Sequence, residues 1–133
     1  MTVKELSQLY WLNREIGELQ RRLMELNAKI TAPRIPNMDG MPRASGNGYA
    51  LENAVAELAD IQAIITAKQQ EVIHERNRLE RYISNIDDSL TREIFALRFI
   101  NGLTWDQTAA SIGGGNTAMS VRQRVYRYLK REK

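Results

Sequence analysis

Apolar residues recur at alternating spacings of three and four along the first part of the chain. This spacing predicts a long helix that packs against another helix in the manner of a coiled coil. Thr2 and Glu5 precede the stripe with the spacing of a capping box, in which a hydroxyl and a carboxylate each accept a hydrogen bond from a backbone amide. The stripe consists of Leu9, Leu12, Ile16, Leu19, Leu23, Leu26 and Ile30.

The pattern stops at the segment TAPRIPNMDGMPRASGNGYA, which contains all three prolines of the chain. Proline removes a backbone donor, and glycine makes helix formation entropically costly. We therefore expect a loop over about residues 32–50.

A second apolar repeat with a period of seven begins near Leu51 and predicts a second long helix. The other position of this seam is expected to be often polar, at Gln62, Gln69 and Arg76. The two helices are expected to form an antiparallel hairpin, but a dimer through the same seams would bury the same leucines, so both remain open. The repeat consists of Leu51, Leu58, Ile65, Val72, Leu79 and Ile86, with Val55, Ile61 and Ile83 between them.

The rhythm changes at the segment SNIDDSLT, which places a boundary near residues 87–91. Asp88, Ser89 or Thr91 could each cap a new helix there. We therefore expect an all-α chain in two parts. Residues 1–88 form a long helical hairpin or coiled-coil arm, and residues 89–133 form a module of three short helices.

Local signals bound the helices of this module. The first is expected over about residues 91–101, with Gly102 allowing it to end. Thr104 and Gln107 have the spacing of a second capping box, and Thr117 is the expected N-cap of the third helix. Apolar residues available for burial are Ile94, Leu97, Phe99 and Ile100 in the first helix and Val121, Val125, Tyr128 and Leu129 in the third.

Three consecutive glycines, Gly113, Gly114 and Gly115, separate the second helix from the third. Glycine adopts positive φ without the steric penalty of a Cβ, so the triplet predicts an enlarged turn. A phosphate-binding loop of the form G-x-x-x-x-G-K-[ST] also needs a lysine and a preceding strand, and the pattern offers neither. We expect no nucleotide site and no cofactor.

The net charge of +3 is unevenly distributed. Residues 1–89 carry 11 Lys and Arg against 13 Asp and Glu, whereas residues 90–133 carry 8 against 3. Basic residues clustered in one segment are typical of proteins that bind a polyanion such as nucleic acid.

Several classes of function are disfavoured by composition. No apolar run approaches the roughly 20 residues of a membrane span, and the start of the chain lacks a secretory pattern, so we expect a cytoplasmic protein with no membrane contact. The chain has no cysteine, which excludes disulfides and thiolate metal sites. His74 is its single histidine and has only carboxylates nearby, so we expect neither a metal site nor an enzyme.

The run REIFALRFINGLTWDQTAASIG followed by SVRQRVYRYLKR resembles region 4 of bacterial sigma factors, a helix-turn-helix that recognises promoter −35 elements. The likeness covers about the last third of the chain. The turn departs from the sigma pattern because it is two residues longer, and the segment GGGN absorbs the extra length. The match is strongest at Leu97, Arg98, Gly102, Leu103, Ala109, Gly113, Val121, Arg122 and Arg124.

The whole layout, including the segments DGMPR and GGGNT, also resembles small phage and prophage proteins of Gram-positive bacteria. These are grouped with the RinA/ArpU-type late-gene transcription regulators. The two resemblances imply a three-helix helix-turn-helix module that binds double-stranded DNA, with RNA polymerase as a further candidate partner.

Helical geometry indicates which side chains would meet DNA. If Val121 and Val125 face inward, Gln123 and Lys130 point nearly opposite, and the N-terminal part of such a helix enters the major groove. The resemblance to sigma region 4 supports Gln123 and Arg127 in particular. We assign Met119, Ser120, Arg122 and Gln123 to base edges, and Arg124, Arg127, Lys130 and Arg131 to phosphates.

Three functions remain open on this pattern. The first is a DNA-binding regulator of phage or prophage genes, expected to be a homo-oligomer and most simply a dimer. The second is a phage small terminase subunit that recognises packaging DNA, for which a ring of eight or more copies would be expected. The third is an interaction protein whose C-terminal module binds polymerase rather than DNA.

Overall fold

The computed structural model describes residues 1–31 and 46–132, with side chains from residue 50 onward in the second range. Every regular element in these ranges is helical, as the apolar periodicity predicted. None of the described helices is long and apolar enough to cross a membrane. The elements are α1 (Val3–Leu6), α2 (Gln8–Thr31), α3 (Gly46–Ser84), α4 (Ser89–Phe95) with a π-helical continuation (Ala96–Ile100), α5 (Trp105–Ile112) and α6 (Ala118–Arg131).

The start of α3 corrects the predicted loop. Residues 32–45 of that loop lie outside the described residues, whereas residues 46–50 are helical, so α3 begins five residues before Leu51. Pro42 is the last proline of the segment. Gly46 and Gly48 lie in the first turn of α3, and glycine costs a helix only about 1 kcal/mol per residue against about 3 kcal/mol for proline, so they do not stop it.

The capping box of Thr2 and Glu5 is present at the start of the chain. The Thr2 hydroxyl accepts a hydrogen bond from the Glu5 amide at 3.2 Å, and the Glu5 carboxylate accepts one from the Thr2 amide at 3.0 Å. The helix that it begins is short, however, because α1 ends at Leu6 and α2 starts at Gln8.

Residues 14–70 form one of two compact units and contain parts of α2 and α3. Ile16, Ile61 and Ile65 are buried in this unit. The predicted seam residues Leu23 and Leu58 are half-buried, less exposed than the polar residues around them. The apolar repeat therefore identified the stripe that this unit buries.

Two ion pairs join α2 to α3 within residues 14–70. Lys68 Nζ lies 2.5 Å from the Glu15 carboxylate, and the Arg22 guanidinium lies 3.9 Å from the Glu57 carboxylate. The residue number therefore rises along α2 as it falls along α3. Such exposed pairs contribute about 0–1 kcal/mol each, so the buried apolar seam contributes more to holding the helices together.

The second seam position of α3 is one residue earlier than predicted. Ile61 is buried and Lys68 is half-buried, whereas Gln62, Gln69 and Arg76 are exposed. Burying an isoleucine side chain contributes about 1.5–3 kcal/mol, and the polar side chains keep their hydration when they stay outside. The prediction therefore named the wrong residues for this position, although the position is still polar at Lys68.

The second unit joins residues 1–13 to the chain from residue 71 onward. The predicted division at residue 88 falls inside this unit, because apolar residues of α1, α2 and α3 share one core with those of the C-terminal helices. That core comprises Leu6, Leu9, Leu79, Ile83, Ile86, Ile94, Phe95, Phe99, Ala109, Val121, Val125 and Leu129.

Phe95 is the largest side chain with no exposed surface in this core. Its ring centre lies 5.5 Å from that of Phe99, 5.4 Å from that of Tyr128 and 6.3 Å from that of Tyr82. Aromatic pairs at these separations contribute beyond the area that they bury. The sequence pattern assigned burial to Ile94 and Phe99 but did not identify Phe95 as the central ring.

Asp88 is the N-cap of α4, which selects one of the three caps that the sequence left open. Its carboxylate accepts hydrogen bonds from the Thr91 amide at 3.2 Å and the Thr91 hydroxyl at 2.6 Å.

At the C-terminal end of the π-helical continuation, Gly102 has a φ of 71°. This left-handed conformation suits glycine and lets the chain turn towards α5.

Candidate nucleic-acid interface

Helix α6 is amphipathic and presents its basic side chains to the outside. Val121, Val125 and Leu129 are buried on its inner face, as the sequence predicted. The helix contains no acidic residue. Its five cations, Arg122, Arg124, Arg127, Lys130 and Arg131, are all exposed.

The turn before α6 is built from the three glycines. Gly113, Gly114 and Gly115 have φ values of 70°, 63° and 80°, which confirms the predicted run of positive φ. The ψ of Gly113 is −153°, a combination that is almost restricted to glycine. The Asn116 side-chain amide donates to the Gly113 carbonyl at 2.8 Å and closes the turn.

We expect Gly113→Ala to destabilise the chain by about 1–3 kcal/mol through backbone strain alone. Apart from the glycine itself and its two chain neighbours, no heavy atom lies within 4 Å of the place where its Cβ would stand, so a clash with the rest of the fold contributes nothing. Urea unfolding followed by circular dichroism measures the loss. Gly17→Ala is the control, because Gly17 lies within α2, has equally open surroundings and should gain stability from the change. Equal stability of the Gly113 variant and the wild type would contradict the strain.

The predicted caps of α5 and α6 are confirmed. The Thr104 hydroxyl accepts from the Gln107 amide at 3.1 Å, and the Gln107 side chain accepts from the Thr104 amide at 2.9 Å. Thr117 caps α6 in the same reciprocal way, with Ser120 in place of the glutamine. The two caps fix where α5 and α6 begin on either side of the glycine turn.

The Ser120 hydroxyl is committed to this cap. It accepts a hydrogen bond from the Thr117 amide at 2.9 Å and donates one to the Thr117 carbonyl at 2.9 Å. Contacting a base edge would compete with these bonds. Among the four residues assigned to base edges, Ser120 is therefore the one with an evident local structural role.

Gln123 lies on the ridge of α6 between two grooves. One groove, of about 630 Å³, separates α6 from the start of α5 and is lined by Trp105, Asp106, Ala118, Met119, Arg122, Gln123 and Tyr126. The other, of about 740 Å³, lies towards the start of α4, and its lining includes Asp87, Asp88, Asn116, Gln123, Arg124 and Arg127. Gln123 lines both grooves and is exposed.

Met119 and Arg122 lie at the rim of the first groove. The Met119 side chain is 70% exposed, although methionine is an apolar residue. The Arg122 guanidinium lies 5.3 Å from the centre of the Tyr126 ring, at cation–π distance. Arg122 therefore has an internal partner in Tyr126, which lines the same groove.

Arg124 is held by an acidic partner outside α6. Its guanidinium lies 3.0 Å from the Asp88 carboxylate, and both side chains are exposed. The hydrogen bonds from Thr91, followed by the charge of Arg124, lower the pKa of Asp88 below its usual value. Asp88 thus stays ionised at neutral pH, and its stabilising effect is lost only as the pH falls through that lowered pKa. The sequence suggested Asp88 as a cap but gave no sign of this pair.

The other cations of α6 have no acidic partner in the described part of the chain. Arg127, Lys130 and Arg131 form no ion pair with any described residue.

The neighbouring Glu132 accepts a hydrogen bond from the Tyr82 hydroxyl at 2.5 Å. Burial raises the pKa of Tyr82, so this hydroxyl keeps its proton and continues to donate.

Arg98 supports the start of α5 from behind. Its Nη1 donates to the Leu103 carbonyl at 2.7 Å, and its guanidinium lies 4.7 Å from the centre of the Trp105 ring. Trp105 is the first residue of α5 and also lines the groove beside Gln123. Arg98 therefore positions one wall of that groove without lying in it.

No protein-family model, curated protein or solved structure matches this chain. In the described residues, no group of three His, Cys, Asp or Glu side chains could hold a metal ion. The exposed basic face of α6 and its two flanking grooves are thus the candidate site.

Proposed function

We propose that the chain is a sequence-specific DNA-binding regulator of phage or prophage transcription. In this proposal α5, the glycine turn and α6 act as a helix-turn-helix, and α6 enters the major groove, which is wide enough for a helix. The observation that carries the proposal is the outer face of α6, with five exposed cations, an outward glutamine and no acidic residue.

The outer face divides into two kinds of contact. Gln123 is exposed and lines both grooves, and a glutamine amide can both donate to and accept from an adenine edge. Met119 would contact a thymine methyl group at the rim beside it. Arg124, Arg127, Lys130 and Arg131 would bind phosphates, which position the helix without specifying sequence.

The acidic residues at the grooves favour one approach of the DNA. Asp106 lines the groove towards α5, and Asp87 and Asp88 line the groove towards α4. Carboxylates repel phosphates, so the backbone strands are expected to follow the exposed cations of α6 rather than these carboxylates. Arg124 would exchange Asp88 for a phosphate on binding, or bind with Asp88 still in place as a support.

The proposal assigns a scaffold role to the other unit. Residues 14–70 would form an antiparallel, coiled-coil-like hairpin, an arrangement supported by the pairing of Glu15 with Lys68 and of Arg22 with Glu57. RNA polymerase is a further proposed partner, supported by the resemblance of the C-terminal third to sigma factor region 4.

Selection of bound fragments from a random duplex library tests the proposal. Wild-type protein should enrich one motif, and Gln123→Ala should lose about 1–3 kcal/mol of discrimination at a single base pair of it. Gln70→Ala, which changes an exposed glutamine on α3, should select the same motif as the wild type.

A folded wild-type protein that enriches no motif would overturn sequence-specific recognition. An equal loss on every sequence for Gln123→Ala would remove Gln123 from the base-reading residues. If neutralising the cations of α6 leaves DNA affinity unchanged but abolishes binding to polymerase, the module is a protein-binding one.

A further inference from the structure

Helix α2 carries a second stripe of residues, one position after each seam residue. Within residues 14–70 this stripe is Gly17, Gln20, Met24 and Asn27, all exposed and all uncharged. Met24 is 72% exposed, the largest exposed fraction of any large apolar side chain among the described residues. Other exposed positions of α2 carry charged residues, so the absence of charge is specific to this stripe.

Helix α3 carries a matching stripe. Val55, Ala59, Gln62, Thr66 and Gln69 are exposed and uncharged, and each follows a seam position by one residue; Glu52, which follows Leu51, is charged and is not part of the stripe. Val55 is 49% exposed. The prediction of polar seam residues at positions 62 and 69 was wrong because these residues belong to this outer stripe.

The two stripes lie on the same side of the unit. A single groove of about 140 Å³ is lined by Leu23, Met24 and Asn27 of α2 and by Leu58 and Gln62 of α3. Reversing the direction of a helix reverses the sense in which its residues rotate about the axis. Positions one after the seam in two antiparallel helices therefore meet on one side, as this groove shows.

The opposite side of residues 14–70, made by positions one residue before the seam, carries charged side chains. Glu15 and Arg22 on α2 precede seam residues, and they form the ion pairs to Lys68 and Glu57. One side of residues 14–70 thus carries charged residues that form ion pairs between the helices. We call the other side, made by the two stripes, the uncharged face.

The chemistry of the uncharged face fits a second copy of itself. In a twofold interface each surface meets its own residues, so carboxylates or ammonium groups near the axis would face like charges. An amide carries both donors and acceptors and can therefore pair with the same amide of another copy. Asn27 and Gln62 supply such groups in the groove itself, and Gln20 and Gln69 supply them elsewhere on the two stripes.

We propose that the uncharged face binds the uncharged face of a second copy of this chain, forming a twofold dimer of hairpins. Met24 of each copy fills the groove beside Leu23 and Leu58 of the other. This interface differs from the leucine seam, which is used within the hairpin. It involves no residue of α4, α5 or α6, so it does not depend on the proposed DNA binding.

Sedimentation equilibrium of the full chain tests the proposal without DNA. The wild type should have twice the 15.3 kDa mass of one chain. Gln62→Glu and Met24→Glu should each raise the dimer dissociation constant at least about tenfold, since each places like charges near the axis. Gln70→Glu is the matched control, with the same chemical change on the same helix but outside the uncharged face, and it should remain dimeric.

Because the face has no charges, the wild-type dissociation constant should not rise between about 0.1 M and 1 M salt. Circular dichroism should give equal helix content for all variants, so that loss of the dimer is separated from loss of the fold. A wild type that is monomeric, or that forms a ring of eight or more copies, overturns the proposal. So does a dimer that Gln62→Glu leaves intact or that Gln70→Glu disrupts equally.

Discussion

Replacing Phe95 with alanine should lower the free energy of unfolding by about 3–5 kcal/mol. The side chain has no exposed surface, and three other rings lie within 6.3 Å of its centre. The change removes the buried area and leaves a cavity that Phe99, Tyr128 and Tyr82 can fill only in part. Urea unfolding at one protein concentration, followed by circular dichroism, measures the loss.

The same measurement on Tyr126→Ala controls for the loss of an aromatic ring. Tyr126 is 41% exposed on the outer side of α6, so its removal should cost less than about 1 kcal/mol. Phe95→Leu should fall between the two, because leucine keeps part of the buried volume. A loss of under about 1 kcal/mol for Phe95→Ala would show that the aromatic cluster is not the centre of the core.

Neutralising Arg127 and Lys130 together should weaken DNA binding to every sequence. Each phosphate contact contributes about 0.9 to the magnitude of the slope of log affinity against log salt concentration. The slope of the double variant should therefore be smaller in magnitude by about 1.8. At about 0.1 M salt this corresponds to roughly 60-fold lower affinity, since each contact contributes roughly 8-fold. Both side chains are exposed and form no ion pair with a described residue, so their removal should leave stability nearly unchanged.

Fluorescence anisotropy of a labelled duplex over a series of salt concentrations measures both quantities. Arg21→Ala with Lys29→Ala is the control, because it removes the same net charge from exposed positions of α2. The control should keep the wild-type slope. If the two double variants weaken binding equally, the effect comes from net charge, and α6 has no special role in it.

Several features were predictable because their causes are local in sequence. The reciprocal cap of Thr104 with Gln107 spans three residues, and so does the N-cap at Thr117. The positive φ values of the glycine turn follow from residue type. The buried faces of α2 and α6 follow from a helical period applied to Ile16, Val121 and similar residues, since one turn of helix decides which side chains share a face.

Other features depend on residues that are distant along the chain. Asp88 and Arg124 are 36 residues apart, and their pairing becomes visible only when α4 and α6 are placed together. The same holds for the grouping of Leu6 and Leu79 with Phe95 in one core. Because of this grouping, residue 88 lies inside a compact unit and not at its boundary. Helical periodicity relates residues that are three or four positions apart, so it does not predict these long-range contacts.

The sequence by itself determined the all-helical character of the described residues, the caps of α5 and α6, the glycine turn and the basic outer face of α6, because backbone hydrogen bonding and helical period act over a few residues. The tertiary structure alone decided which chain segments share a core, that Arg124 has a carboxylate partner, and that two uncharged stripes meet on one side of residues 14–70. Those outcomes depend on how the helices pair, and pairing depends on the total apolar area buried, not on any single stretch of sequence.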